Sequence, residues 1–180
     1  MREGKLVVLT SAGATDAATC QRLAIAVHQV AGRRGISIEA VGLSGPLRDA
    51  ADGLQTSIRQ AEFTARVAAR VPEMERQACW EALGEYRLFY SYEWNSAGVA
   101  AIDPGVAVIL SQEHSPLAQT VLAYLDRQGD VNATAAALNV HRTTLYYRLN
   151  QVAGLIGQDL NGPARFRIHA ALRLAQLSNL

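Results

Sequence analysis

Residues 130 to 156, DVNATAAALNVHRTTLYYRLNQVAGLI, decide the fold. Asn132 reads as the N-cap of a short alanine-rich helix, because its side-chain oxygen can accept from the free N–H groups of a first turn. That helix ends near Leu138. Asn139 stands where the turn needs the left-handed conformation, which Asn tolerates better than most residues. Val140 is then an apolar plug, and a longer helix starts around His141 or Arg142.

On a wheel at ~100° per residue, Leu145, Leu149, Val152 and Ile156 of that second helix share one face. They are expected to pack on the first helix through Ala135, Ala136 and Leu138. The opposite face carries Thr143, Tyr147 and Asn150, flanked by Thr144 and Tyr146, with His141 and Arg142 at its N-terminal end. Two helices across a tight turn, with hydrogen-bonding groups on one side and an apolar seam behind, read as a helix-turn-helix. A major groove admits the N-terminus of such a helix first, so base edges would meet His141, Arg142, Thr143, Tyr146 and Tyr147. Asn132 and Thr144 complete the candidate contacts, since phosphates accept from side chains of this kind. Arg148 sits nearer the seam and suits a phosphate contact or a pairing within the domain equally. Spacing alone would also fit an ordinary antiparallel helix pair.

The string itself goes further than its spacing. From about Pro116 to Leu177, through "LAQTVLAYLDRQGDVNATAAALNVHRTTLYYRLNQVAGLIGQDL" and "ARFRIHAALRLAQL", it resembles the C-terminal DNA-binding domain of PucR-type (CdaR-like) bacterial transcriptional regulators. The most specific parts are Tyr124-Leu125, Val140-His141-Arg142, Thr144-Leu145, Tyr147-Arg148-Leu149, Gly157 and Asp159-Leu160. The family usually has Asn where this chain has Thr143, so the family's base contact is not carried over at that position.

Charge and composition agree with a split role. The 180 residues have a net charge of +1 and are 49% apolar, enough for a sizeable core. Residues 114 to 180 hold six Arg against three Asp, whereas the first 113 residues hold eleven basic and thirteen acidic groups. A mildly basic C-terminal part on an acidic body suits DNA contact by the C-terminal domain alone. Cys20 and Cys79 are distant and form no CxxC, so neither a disulfide nor a zinc site is expected and a reducing cytoplasm fits. No apolar run approaches the ~18 residues of a membrane helix, and the N-terminus lacks a signal-peptide pattern.

Upstream, Lys5 to Leu9 reads as a buried strand, and Thr15 or Asp16 as the cap of a helix. This helix would bury Cys20, Leu23, Ala24, Val27 and Val30 and stop at Gly35. Ile36 to Leu43 alternates as a second strand with Ile36, Ile38, Ala40 and Gly42 on one face. Ser44-Gly45-Pro46 opens a long helix carrying Leu47, Leu54, Ile58, Ala61, Ala65 and Ala68, which Pro72 ends or kinks. "VVLTSAGAT" and "VGLSGPLRDAADGLQTSIRQAEFTA" resemble the second half of the degenerate GGDEF-like domain found in CdaR-type regulators. A whole domain of that kind needs an earlier strand and helix. The chain is therefore a fragment of a longer regulator, or a short member that fills the gap by dimerising.

Between Glu73 and Ala101 the pattern is weak: Met74, Ala78, Trp80 and Leu83 suggest further helix. Asn95-Ser96 and Asp103-Pro104 look like helix starts, with Pro104 suited to the first helical position, and Val106 to Leu110 like a short buried helix. The aromatic group Trp80, Tyr86, Phe89, Tyr90, Tyr92 and Trp94 fits core packing better than a ligand pocket. At the end of the chain, Asn161-Gly162-Pro163 turns into a last helix, Ala164 to Leu177. It would bury Phe166, Ala170, Leu174 and Leu177 and turn Arg167 and Arg173 away. Arg165 and Arg167 read as phosphate contacts or as a solvated face.

The resulting organisation is an α/β N-terminal portion (residues 1–71, partial GGDEF-like), a helical connector (72–110) and an all-α helix-turn-helix domain (111–180), mostly helical in total. No catalytic constellation can be assembled. The four His are scattered, with His28 reading as a partly buried structural residue. There is no phosphate loop, HExxH or GxSxG, and no paired carboxylates replace a GGDEF loop to hold Mg²⁺. The expected function is sequence-specific binding of double-stranded DNA, without cofactor or metal, by a cytoplasmic homodimer reading two half-sites. The N-terminal part would dimerise or relay a signal, with an unidentified small-molecule effector. A protein-interaction or ligand-sensing module that no longer binds DNA is the alternative, and a nucleotide-processing enzyme ranks third.

Overall fold

The structure, a computed structural model, describes residues 17–46, 53–110 and 115–178. The chain divides into two compact units, residues 1–91 and 92–180. The strand expected at Lys5–Leu9, the caps at Thr15 or Asp16, and Leu47 lie outside the described residues.

The first unit contains α1 (Ala17–Arg33), β1 (Val41–Leu43), α2 (Gly53–Arg70) and β2 (Gln77–Cys79), with 3-10 turns at Pro72–Met74, Trp80–Ala82 and Gly84–Phe89. β1 and β2 run parallel, Val41 opposite Gln77 and Leu43 opposite Cys79. Parallel strands need a crossover, and α2 supplies it while packing on both strands. The closest approach is at Gly42, where any Cβ would run into the backbone of Ala61 and Ala65. Only Gly lets strand and helix meet at that distance. α2 buries Phe63, Thr64, Val67 and Ala68, and Phe63 stands edge-on to Trp80 at 5.9 Å and to Tyr90 at 5.3 Å. Tyr86 and Phe89 are buried as well, so Phe63, Trp80, Tyr86 and Phe89 are core, whereas Tyr90 and Trp94 are half-buried and Tyr92, expected in the same packing, is 47% exposed. The long helix ends at Arg70 as Pro72 requires, with Val71 extended (φ −102°, ψ 104°), the conformation preferred before proline.

Several expectations for this unit are corrected. The buried stripe of α1 is Cys20, Ala24 and Ala31, with Leu23, Val27 and His28 half-buried, while Val30 is exposed. Positions i, i+4 and i+11 stay in register on a helix, and Val30 falls one residue, about 100°, off that line. The second strand shrinks to Val41–Leu43 and leaves Ile36 exposed, because only three residues find partners on β2. Leu54 is exposed on α2. Gln77–Cys79 is a strand where the pattern suggested helix. Cys20 and Cys79 are joined in a disulfide, with Cα atoms 6.2 Å apart. The parallel pairing brings Cys79 beside α1 despite a sequence separation of 59, a proximity that spacing along the chain does not reveal.

The described residues of the second unit are all-helical: α3 (Ser96–Ile102), α4 (Pro104–Ile109), α5 (Ser115–Asp126), α6 (Val131–Ala137), α7 (Arg142–Ile156) and α8 (Arg165–Ser178). The two anticipated starts are present. Asn95 accepts from Gly98 N, and Asp103 accepts from Gly105 N and Val106 N with Pro104 in the first turn. Residues 92–110, read from sequence as part of the connector, pack within this unit, α3 on α8 and α4 on α7 and α5. α7 is the central element, touching α4, α5 and α6. Its Leu145 and Val152 are completely buried, as are Val121 of α5 and Ile168 of α8.

α8 departs from its expected stripe. Leu174 and Leu177 are fully buried as expected, but Phe166 is 73% exposed, Ala170 is only half-buried, and Ile168, Ala171, Leu172 and Ala175 complete the buried arc. Phe166 lies two positions before Ile168, about 200° round the wheel. The arginines of α8 do not merely face solvent either. Arg167 Nε lies 3.0 Å from Asp103 Oδ2, and Arg173 Nη2 lies 2.9 Å from Asp126 Oδ1. His169 Nε2 meets the same Asp126 oxygen at 2.7 Å, joining the end of α5 to α8.

Candidate nucleic-acid interface

Asp130 starts the site. Its extended backbone (φ −71°, ψ 106°) precedes α6, and its carboxylate accepts from Ala133 N at 2.9 Å. A carboxylate there satisfies an otherwise free N–H and complements the helix dipole. The cap is therefore Asp130 and not Asn132, which lies inside the first turn of α6. Sequence reasoning missed it although Asp ranks with Asn as a cap; the helix begins at Val131, two residues before the alanine run starts.

The turn is built as its residues suggest. Asn139 has φ +52°, and Val140, half-buried, donates from its N–H to Ala135 O at 3.0 Å. Ala135 and Thr134 form the buried side of α6; Ala136, expected there, is exposed. Thr134 satisfies its own hydroxyl by donating to Asp130 O at 2.6 Å, so a polar residue occupies the seam at no hydrogen-bonding loss.

α7 buries Leu145, Leu149, Val152 and Ile156, the anticipated seam. It ends at Gly157, whose N–H donates to Ala153 O. His141 is the N-cap. With Nδ1 unprotonated, the ring accepts from Thr143 N at 3.4 Å and from the Thr143 hydroxyl at 2.9 Å. That arrangement has a chemical consequence. It leaves Nε2–H as the donor of an exposed imidazole, and it leaves the Thr143 oxygen with lone pairs to accept.

Arg142, Thr143, Thr144 and Asn150 are exposed, as are Tyr146 and Tyr147 at 53% and 69%. Arg142 Nη1 reaches Asn132 Oδ1 at 3.5 Å, a long contact that aims the guanidinium while leaving most of its five donors unused. The predicted set therefore falls together around the first turns of α6 and α7. Arg148 is set apart from it: half-buried, its Nη1 lies 3.4 Å from Thr120 Oγ1 on α5. Thr120 is itself buried and donates to Pro116 O at 2.8 Å.

The surface thus offers donors, acceptors and two phenols on a rigid helix end, with no carboxylate among the exposed residues from 141 to 151. Among the described residues no three His, Cys, Asp or Glu side chains stand together as metal ligands would, and no helix is long and apolar enough to cross a membrane.

Comparison with known proteins bears on this unit. Residues 117–174 match the family described as the PucR C-terminal helix-turn-helix domain, so the resemblance carried by the sequence holds over these residues. The purine catabolism regulatory protein of Bacillus subtilis (strain 168) is 37% identical over 67 residues, 37% of this chain and 13% of that protein. Transcriptional activator PmfR of Paenarthrobacter nicotinovorans is 36% identical over 66 residues, 37% of this chain and 12% of that protein. The match to this chain thus spans about an eighth of the length of these curated relatives. No solved structure matches the chain.

Proposed function

We propose that this chain is a sequence-specific DNA-binding transcriptional regulator that reads the major groove with the N-terminal half of α7. The observation that carries the reading is the exposure of His141, Arg142, Thr143, Thr144, Tyr146 and Tyr147 around one helix end whose opposite face is locked by Leu145 and Leu149. Rigid backing matters, because base readout requires side chains held in register with base edges. The matching helix-turn-helix family and the two relatives named as regulators support it.

In this reading His141, Arg142, Thr143 and Tyr147 contact bases, while Arg142, Thr144, Asn132 and Arg148 serve the backbone. One helix supplies few base contacts, so a homodimer reads two half-sites about one DNA turn apart. The first unit, a partial GGDEF-like α/β region, dimerises or relays the presence of a small-molecule effector, and the protein acts where the DNA is, in the cytoplasm.

The test is selection of binding sites from random duplex DNA with the full chain. An enriched, roughly palindromic motif is expected. A pool without enrichment overturns the reading and favours an interaction module in which the helix pair no longer reads DNA.

A further inference from the structure

Arg165 opens α8, outside the recognition helix, yet its guanidinium lies against the turn that leads into α6. A Cβ at Gly129 would stand 3.2 Å from Arg165 Nη1 and 3.2 Å from the Tyr124 hydroxyl. Gly129 has φ +88°, so both its backbone conformation and the guanidinium beside it call for a residue without a side chain. Arg165 Nη1 also meets Asn161 Oδ1 at 3.4 Å, and that oxygen accepts from the buried Tyr124 hydroxyl at 2.9 Å. The phenol thus fixes Asn161, and Asn161 fixes the arginine.

The location of this group is informative. Gly129 immediately precedes Asp130, the cap of α6, and Asn132 in the first turn of α6 is in reach of Arg142. The start of α6 therefore has both guanidinium groups close by, Arg142 at Asn132 and Arg165 at Gly129. Arg127, exposed, belongs to the same turn. The carboxylate of Asp130 accepts from Ala133 N and that of Asp159 from Asn161 N, and Arg165 has no carboxylate partner among the ion pairs of the described residues.

We propose that Arg165 is a second DNA-binding position, a clamp on a backbone phosphate flanking the groove that α7 enters. The inference rests on the DNA-binding reading above and adds to it a contact outside the helix-turn-helix. A guanidinium held by one neutral acceptor keeps donors for a phosphate. Such a contact fixes register on the duplex and carries no sequence information.

The test uses the full chain, a duplex carrying its selected site and a short mixed-sequence duplex, with affinities followed across a salt series. Each neutralised phosphate contributes about 0.9 to the slope of log affinity on log salt. For Arg165→Gln the slope should become shallower by about that amount on both duplexes, with the preference between them and the melting temperature retained. Arg165→Lys should keep the wild-type slope, because a point charge suffices for a phosphate. An unchanged slope in Arg165→Gln overturns the clamp while leaving DNA binding by α7 intact. A lowered melting temperature in both variants with unchanged slopes assigns Arg165 a structural role and likewise overturns it. If the wild-type chain binds neither duplex at low salt, the DNA-binding reading falls and the clamp with it.

Discussion

Arg167 Nε lies 3.0 Å from Asp103 Oδ2, and the two partners meet in unequal surroundings: the Asp103 side chain is fully buried, that of Arg167 51% exposed. Asp103 also accepts from Gly105 N and Val106 N at the start of α4, and Gln158 Nε2 lies 3.4 Å from the second oxygen. Arg167 Nη2 closes the group on Gln158 Oε1 at 2.5 Å. One carboxylate therefore ties the α3–α4 corner to α8 and to the segment just beyond α7.

Removing either partner should cost unequal amounts. Asp103→Ala loses a cap worth about 1 kcal/mol and hydrogen bonds to a charged group worth about 1.5–3 kcal/mol; a total near 2–4 kcal/mol is expected. Arg167→Ala strands a buried carboxylate, which in a fully buried pair costs about 3–5 kcal/mol. The half-exposed guanidinium reduces this to about 1–3 kcal/mol. Urea unfolding of each variant measures both; no loss in Asp103→Ala would show that this corner is held by apolar contacts alone.

The seam of α7 and the outer face of α8 give opposite expectations for two large apolar residues. Leu149→Ala, on the buried side, should destabilise the unit by about 2–5 kcal/mol. Phe166→Ala, 73% exposed, should change stability by no more than about 0.5 kcal/mol. Thermal melts of the two variants decide it, and a large drop for Phe166→Ala would restore the stripe that the sequence alone suggested.

The cap assignment separates Asp130 from Asn132. Asp130→Ala should lower stability by about 0.5–2 kcal/mol, whereas Asn132→Ala, inside α6, should leave it nearly unchanged. If the order of the two melting points is reversed, α6 starts later than described.

Asn139 is held at φ +52°. Asn139→Gly should be tolerated, and Asn139→Val should cost about 1–2 kcal/mol or more, since a branched Cβ collides with its own carbonyl in that conformation. Equal melting temperatures for the two variants would contradict a left-handed turn.

These cases also show what a sequence can disclose. The seam Leu145–Leu149–Val152–Ile156, the turn at Asn139, the start at Asp103-Pro104 and the stop at Pro72 were legible because each depends on local periodicity or on one residue's backbone preference. Phe166 and Val30 were misplaced because amphipathic spacing fixes a helix's period and leaves its rotation to the neighbouring elements. The Asp103–Arg167 and Asp126–Arg173 pairs span 64 and 47 residues, and the Cys20–Cys79 bond spans 59; nothing local marks such partners. β2 escaped notice because three residues paired on one side carry no detectable alternation. In the candidate site the exposed residues of α7 were readable from the wheel, whereas the cap at Asp130 and the tethering of Arg148 to Thr120 needed the third dimension.

The most direct measurement is an equilibrium titration of the wild-type chain and Arg142→Ala against a duplex carrying the selected site and a scrambled duplex of equal length. The wild type should prefer its site strongly. Arg142→Ala should lose about 1–3 kcal/mol on that site with its fold intact by circular dichroism. Equal wild-type affinity for the two duplexes, or an Arg142→Ala titration superimposable on the wild type, would contradict groove reading by α7.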